Sequence, residues 1–535
     1  MRDRKSRYLI SQAVTHTTEK TPDLEAIRFS GQSMTYGMLE SRSNSLARVL
    51  VENDIRRGDR VGIYMNKSLE TVIAMYAIMK AGGAYVPLDP LAPVNRTAFV
   101  IKDCGIRHVV SNDTKVDSLR KILSDESPME HLLGVTPQTD FQANCIPWEE
   151  LASAPDHPLS LNLTEQDLAY ILYTSGSTGN PKGIMHTHRS GLSFAEWAAD
   201  EYQLTQLDRV SNHAPLHFDL STFDYFATAI SGGCTVIIPE ALTKFPANLS
   251  RLIESERITV WYSVPFALIQ LLERGDLTSH DTSALRWILF AGEVFPTKHL
   301  RALMNQLPDV RFSNLFGPTE TNVCTYYHLD GLPQDNDETI PIGKACTNIE
   351  DLVVDTNDRP VEPGEVGELL IRGGVVMKGY WGQPEKTRSS FYRREVFDQF
   401  EDLFYRTGDL VQVDEDGNYR YLGRKDRQIK TRGYRVELDE VEVALLSHTA
   451  VQEAAAFPVP DGKGSNLIAA ALILKQDAQL NEQDLVAHIS NRLPLYAIPA
   501  HFDFLLDFPR TSTGKIDRRG LQQMANDFAG NGKGK

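Results

Sequence analysis

The densest chemistry in the chain lies in eleven residues, Tyr173-Thr-Ser-Gly-Ser-Thr-Gly-Asn-Pro-Lys-Gly183. Thr174, Ser175, Ser177 and Thr178 supply hydroxyl donors, and Lys182 supplies a positive charge. Gly176 and Gly179 let the backbone turn tightly and approach phosphate oxygens. By composition this is a phosphate-cradling loop. It is not a Walker A loop, because that motif needs Ser or Thr after its lysine and here Gly183 follows. A Ser/Gly-rich surface turn has the same composition, but this loop follows an apolar run, Leu168 to Leu172, and carries a lysine. Both features favour phosphate. Two other groups stand out by type, Asp409 and Lys515. Alone, the first reads as a turn residue and the second as a solvated lysine.

The segments around these residues alternate in period. Ser43 to Glu52 and Thr71 to Ala81 carry helical apolar spacing. Arg60 to Met65 and Ala84 to Leu88 read as short buried strands. Similar runs span 168–239 and 258–314. Strands alternating with helices imply parallel sheets covered on both faces. After Pro341 the texture changes to short strands punctuated by Gly, Pro and Asp, near 351–355, 367–372 and 418–422. The charged stretch Gly423 to Arg427 reads as a domain boundary. Beyond it a helix is expected near 437–447, with strands near 453–457 and 467–474. The expected fold is α/β. A large N-terminal domain, 1–425, holds two parallel-type sheets with helices and a small β-rich subdomain. A small mobile α+β domain, 426–535, follows.

The chain has 535 residues, 41% of them hydrophobic, and a formal net charge of -16. So acidic a balance argues against nucleic acid and against anionic membrane surfaces as partners. The five cysteines (Cys104, Cys145, Cys234, Cys324 and Cys346) show no metal spacing and fit a reducing compartment. No signal peptide and no bilayer-spanning apolar run is present. A cytoplasmic location is expected.

Taken together, ordered motifs along nearly the whole chain resemble those of the adenylate-forming superfamily: acyl-CoA synthetases, luciferases and the adenylation domains of nonribosomal peptide synthetases. The loop at 173–183 is similar to the superfamily's phosphate loop. Thr35-Tyr36-Gly-Met-Leu-Glu40 resembles its first core motif, and Phe218-Asp219-Leu-Ser221 its substrate-pocket motif. Asn314-Leu-Phe-Gly-Pro-Thr-Glu-Thr321 resembles the adenine and metal motif. Tyr405 to Leu410 resembles the ribose motif, Gly423 to Glu437 the hinge and tunnel motif, and Pro509 to Asp517 the catalytic-lysine motif.

The resemblance implies roles. ATP and Mg²⁺ are the expected cofactors. Lys515 bridges carboxylate and α-phosphate; Thr319 and Lys182 assist, and Glu320 holds Mg²⁺. Asn314, Phe316, Gly317 and Tyr421 belong to the nucleotide site, with Phe316 stacking on adenine. Asp409 takes the ribose hydroxyls beside Arg424. Asp426 is the hinge, and Gly433 moves toward the thiol path. Phe218 matches the aromatic residue that screens the substrate carboxylate, whereas His217 reads as a satisfied structural histidine. The chemistry fits, since two anions must be brought together and growing charge on phosphoryl oxygens needs cations and donors.

Asp219 matches the aspartate that pairs with a substrate α-ammonium, which fatty-acid and luciferin enzymes do not need. Motif register aligns the remaining pocket positions as Leu220, Phe223, Phe266, Leu289, Ala291, Leu315, Val323 and Cys324. An apolar lining leaves a polar side chain desolvated without a partner. A compact apolar amino acid is expected. The set is similar to that of proline-activating enzymes, except that Phe223 stands where leucine is usual; valine, isoleucine and pipecolate are the rivals. No upstream condensation region and no downstream carrier segment is read in the sequence. The adenylate is therefore expected to pass in trans to the phosphopantetheine of a separate peptidyl or acyl carrier protein, with free coenzyme A as the alternative. The basic run Arg424, Lys425, Arg427, Lys430, Arg432 and Arg435 reads mostly as a solvated loop face.

Overall fold

The computed structural model describes residues 7–123, 127–176, 178–333, 339–462, 465–476, 478–510 and 516–531. Ser177 and Lys515 lie outside them.

Two large sheets make the core. In the first, six strands run parallel in the order Leu168–Thr174, Ala84–Pro87, Arg60–Tyr64, His108–Ser111, His131–Leu133 and Asn144–Ile146. The antiparallel strands Lys182–Thr187 and Gly379–Tyr380 close one edge. In the second, Arg311–Phe316, Trp287–Ala291, Val260–Ser263, Arg209–Asn212, Cys234–Ile237 and Glu25–Phe29 are parallel, with antiparallel strands at both edges. Central strands such as Trp287–Ala291 are buried throughout, as a parallel sheet covered on both faces requires. The helices Tyr36–Glu52 and Leu69–Lys80 pack on each other, and the second is apolar nearly all round because it lies inside the core.

An antiparallel sheet of Ile349–Val354, Val366–Gly373, Phe400–Val413, Phe391–Phe397 and Tyr419–Arg424 forms the β-rich part. The stretch Gly423 to Arg427 is therefore not a simple linker, since Arg424 still pairs with Asp409 in the ladder. The hairpin Gln428–Thr431 and Tyr434–Glu437 follows. The last segment packs the helix Leu438–Leu446 against Val451–Pro460, Asn466–Leu474 and His501–Phe504. Among the described residues no helix is long and apolar enough to cross a membrane.

Candidate active site

The phosphate loop joins two neighbouring antiparallel strands, Leu168–Thr174 and Lys182–Thr187, so it is the tip of a hairpin rather than a helix start. A Cβ on Gly176 would sit 2.1 Å from the carbonyl oxygen of Asn180, so only glycine closes this turn. Thr174 and Ser175 line a cavity with Phe218, Asp219, Leu220, Ala291, Gly317, Thr319, Val323 and Asp409. The Thr174 hydroxyl is enclosed and has no partner among the described residues. Thr178 is exposed, and Gly179 lies against Val443 of the C-terminal segment.

Behind the cavity, reached through Arg435 on its wall, lies a cluster of charge around Glu320, which is fully buried. Its Oε1 accepts from Lys182 Nζ at 3.3 Å and from the Tyr380 hydroxyl at 2.9 Å; its Oε2 accepts from Arg435 Nη1 at 2.6 Å. Burial alone would push this carboxyl up, but Arg435 and Lys182 outweigh it and hold Glu320 well below the usual range. Burial lowers Lys182 to about 8, with the Arg435 charge acting in the same direction and Glu320 opposing.

Asp219 lines the cavity itself. It begins a helical run, Leu220 to Ser231, in which one turn, Phe223–Ala227, widens to π geometry. Such bulges re-aim side chains and recur at functional sites. Burial raises the Asp219 carboxyl, opposed by the Thr319 hydroxyl and by Lys430 and Arg435.

A second cavity adjoins the first along Lys430 and Arg424 and is lined by Asn314, Leu315, Phe316 and Tyr421. The Phe316 and Tyr421 rings lie 5.8 Å apart with 47° between planes. Asn314 donates through Nδ2 to the Pro341 carbonyl at 2.9 Å. At the junction Arg424 donates to Asp409 at 2.8 Å and to both oxygens of Asp426 at 2.7 and 2.8 Å. Burial raises Asp409, with Arg424 opposing.

The hairpin after Asp426 enters this site. Ser175 Oγ donates to the Arg435 carbonyl at 3.0 Å and accepts from Glu437 N at 3.2 Å. Gly433 N donates to Glu293 Oε1 at 2.6 Å. Gly433 has φ +85°, and a Cβ there would meet Val264 at 2.7 Å, so a side chain is excluded by conformation and by space.

The expected substrate lining is divided by the structure. Leu220, Ala291 and Val323 face the first cavity, and Leu315 faces the second. Phe223 and Leu289 are fully buried beneath Tyr262, whose ring sits 5.3 Å from Phe223 and whose strand position pairs with Leu289. Cys324 follows a bend at Asn322 and Val323 and joins a different cluster from Val323, packing with Phe316, Val353 and Leu369. Phe266 lies under the Arg432 guanidinium, 5.9 Å from its ring centre, and not on the cavity wall.

Sequence reasoning missed Tyr262, Gly292, Asn322, Tyr380, Lys430 and Arg435. The basic run is not a solvated face, since Arg424, Lys430 and Arg435 turn into the site. Lys425 reaches Glu368 and Arg427 reaches Glu442; only Lys425 and Arg432 of the six are exposed. The signal was present. In the hairpin Gln428, Lys430, Arg435 and Glu437 share one face, while Ile429 and Val436 take the other and join the core.

A parallel two-sheet core, a hydroxyl-rich loop facing a buried glutamate, and a hairpin delivered from a small C-terminal α+β unit define an adenylate-forming enzyme. The chain belongs to the AMP-binding enzyme family, whose principal model matches residues 14–381 and whose C-terminal domain model matches 440–515. It is 36% identical over 513 residues to an L-proline–[L-prolyl-carrier protein] ligase of Pseudomonas fluorescens, covering 96% of this chain and 98% of that one. A ligase of the same description from Streptomyces coelicolor is 38% identical over 500 residues, 91% of each chain. In fold the chain is similar to the amide bond synthetase McbA of Marinactinospora thermotolerans, with a TM-score of 0.85, 24% identity and coverage of 96% and 99%.

Proposed function

We propose that this enzyme activates L-proline with ATP, forming prolyl-AMP and pyrophosphate, and then transfers the prolyl group to the phosphopantetheine thiol of a separate carrier protein. The observation that carries the reading is Asp219, a buried carboxylate that forms no ion pair among the described residues, set beside the apolar wall of Leu220, Ala291 and Val323. The resemblance over nearly full length to two L-proline–[L-prolyl-carrier protein] ligases supports it.

Proline carries one cation at its ring nitrogen and is otherwise apolar and compact. Asp219 supplies the counter-charge, and Tyr262 over Phe223 limits the depth. Phe316 and Tyr421 take the adenine, and Asp409 with Arg424 the ribose. Thr174, Ser175 and Thr319 donate to phosphate. Glu320 fits Mg²⁺ as a buried ionised carboxylate. Among the described residues no group of three or more His, Cys, Asp or Glu is placed to hold a metal. Mg²⁺ is commonly held by one or two carboxylates plus substrate phosphates, which suits a single glutamate. The ion would neutralise charge on the phosphates. Lys515, outside the described residues, is assigned to the reacting carboxylate and α-phosphate on its motif. We assign 426–535 to a unit that turns about Asp426 between the two half-reactions, and a cytoplasmic location to the protein. The hairpin contacts to Ser175 and Glu320 suit the second half-reaction, because they occupy groups that ATP and Mg²⁺ need in the first.

Amino-acid-dependent ATP–pyrophosphate exchange tests the reading across the common amino acids, pipecolate and a fatty acid. Proline gives the highest rate; a clear preference for valine, phenylalanine or the fatty acid overturns the substrate. Lys515→Ala lowers exchange by about 10²–10³-fold or more. Asp426→Pro impairs transfer to the carrier more than exchange.

A further inference from the structure

His217 differs from the satisfied core histidine that its sequence context suggests. Its ring lines the first cavity beside Phe218, Asp219, Tyr434 and Tyr496. Among the described residues neither ring nitrogen makes a hydrogen bond. Nε2 is enclosed without a partner and lies 3.8 Å from Asp89 Oδ2, on the loop after the strand Ala84–Pro87. Buried polar groups are nearly always paired, so an unpaired imidazole on a substrate cavity asks for a reason. The ring is fixed edge-on to Phe218, 5.2 Å between centres, and Phe218 is fixed edge-on to Tyr434 of the inserted hairpin, 5.1 Å away. Tyr434 stacks on Tyr496 at 3.8 Å. The histidine therefore stands where the core and the C-terminal unit meet, two residues from the carboxylate assigned to the amino acid.

We propose that His217, oriented by Asp89, is the base that accepts the proton of the incoming carrier thiol. This rests on the carrier-ligase reading above. Asp89 favours the tautomer with the proton on Nε2 and leaves Nδ1 as the acceptor. The sulfur forms a bond to the carbonyl carbon of the prolyl adenylate as the S–H proton passes to Nδ1. The bond from that carbon to the phosphate oxygen breaks, and AMP leaves with the electron pair. Asp89 stabilises the imidazolium until its proton returns to solvent.

The surroundings suit a base that is neutral at rest. Burial lowers the His217 pKa, Asp89 and Glu240 act to raise it, and Arg96 and Lys67 act to lower it. The net direction is down, so the ring is unprotonated at neutral pH and ready to accept.

The test follows both half-reactions in His217→Gln across about pH 6 to 9, which brackets the value of about 8.5 for a free thiol. Pyrophosphate exchange reports adenylation and shows that the variant is folded. Single-turnover transfer from proline-loaded enzyme is measured with pantetheine and with a phosphopantetheine-bearing peptidyl carrier protein. For the unaltered enzyme, transfer stays nearly flat through neutral pH. In His217→Gln the ratio of transfer to exchange falls about 10²-fold at pH 7, the scale of general-base catalysis. Its transfer rate climbs about tenfold per pH unit toward the thiol value, since the thiol must then ionise unaided. Asp89→Asn lowers the same ratio by a smaller factor. A flat profile in His217→Gln, or an equal fractional loss in both half-reactions, overturns the base. If the unaltered enzyme exchanges pyrophosphate but loads neither thiol, the carrier reading falls, and this proposal with it.

Discussion

Two buried carboxylates serve one site, Asp219 on the cavity wall and Glu320 behind it against Arg435, and they are shifted in opposite directions. Glu320 has two cations and a phenol on its oxygens and sits well below its ordinary 4.5. Among the described residues Asp219 has no ion pair, and it sits above its ordinary 3.8. Both are desolvated, so the difference lies in the partners and not in the burial. The phosphate end is electrostatically complete without ligand, because Arg435 of the hairpin supplies the second cation. The amino-acid end feels Lys430 and Arg435 without pairing with either, and gains a direct partner when an ammonium group arrives. One end is built to exchange partners between steps, and the other to wait for one.

The comparison breaks most visibly through substitution. Glu320→Ala leaves Lys182 and Arg435 as buried cations without their anion, and removing one partner of a buried pair costs roughly 3–5 kcal/mol. Denaturant unfolding should show a loss of that size. Asp219→Ala removes a charge that burial disfavours, so the same measurement should show no loss of stability, while exchange falls about 10²–10³-fold. Similar stability losses in the two variants would erase the distinction.

Acid sharpens it. A depressed carboxyl contributes stability that is present above its unfolded value and is lost as pH falls through its folded value. For Glu320 that window lies below 4.5. A raised carboxyl works the other way, and Asp219 takes up its proton above 3.8. On acidification the KM for proline should therefore rise while circular dichroism still reports an intact fold. Loss of fold before any rise in KM would contradict the assignment.

The smallest effect is expected under the floor. Phe223→Leu removes the ring that supports Tyr262 and should deepen the amino-acid end by about the volume of a methylene or two. One methylene in an apolar pocket is worth about 1–3 kcal/mol. The pipecolate-to-proline exchange ratio should rise, by up to about tenfold, with the phosphate end untouched.

The core elements were legible because each is governed by local period. Arg60 to Tyr64 and Ala84 to Pro87 are short apolar runs with polar boundaries, and a parallel sheet buries such runs whole. The phosphate loop, Asp219 and Glu320 were legible through motif order. The pocket wall was only partly so. Ala291 and Val323, which register points to, do line the cavity, but depth cannot be read from register, and Phe223 and Leu289 lie one layer below Tyr262. Register sets Cys324 beside its neighbour, but the bend at Asn322 and Val323 sends the two side chains into different clusters. Lys430 and Arg435 were hidden by composition, since a run of basic residues looks solvated until the hairpin's two-residue alternation is set against a buried glutamate. His217 was misjudged because satisfaction is a property of three-dimensional neighbours, and Asp89 lies 128 residues earlier in the chain.

The most direct test of the central claim replaces one atom of the substrate. Tetrahydrofuran-2-carboxylate keeps the ring and carboxylate of proline but has oxygen in place of the ring nitrogen, and so no cation. Pyrophosphate exchange with both acids is compared in the unaltered enzyme and in Asp219→Ala. If Asp219 waits for an ammonium group, the unaltered enzyme prefers proline by about 10²–10³-fold, the worth of a buried charge pair, and the variant loses most of that preference. A preference that survives unchanged in Asp219→Ala would place the recognition of the amino group elsewhere and contradict the account.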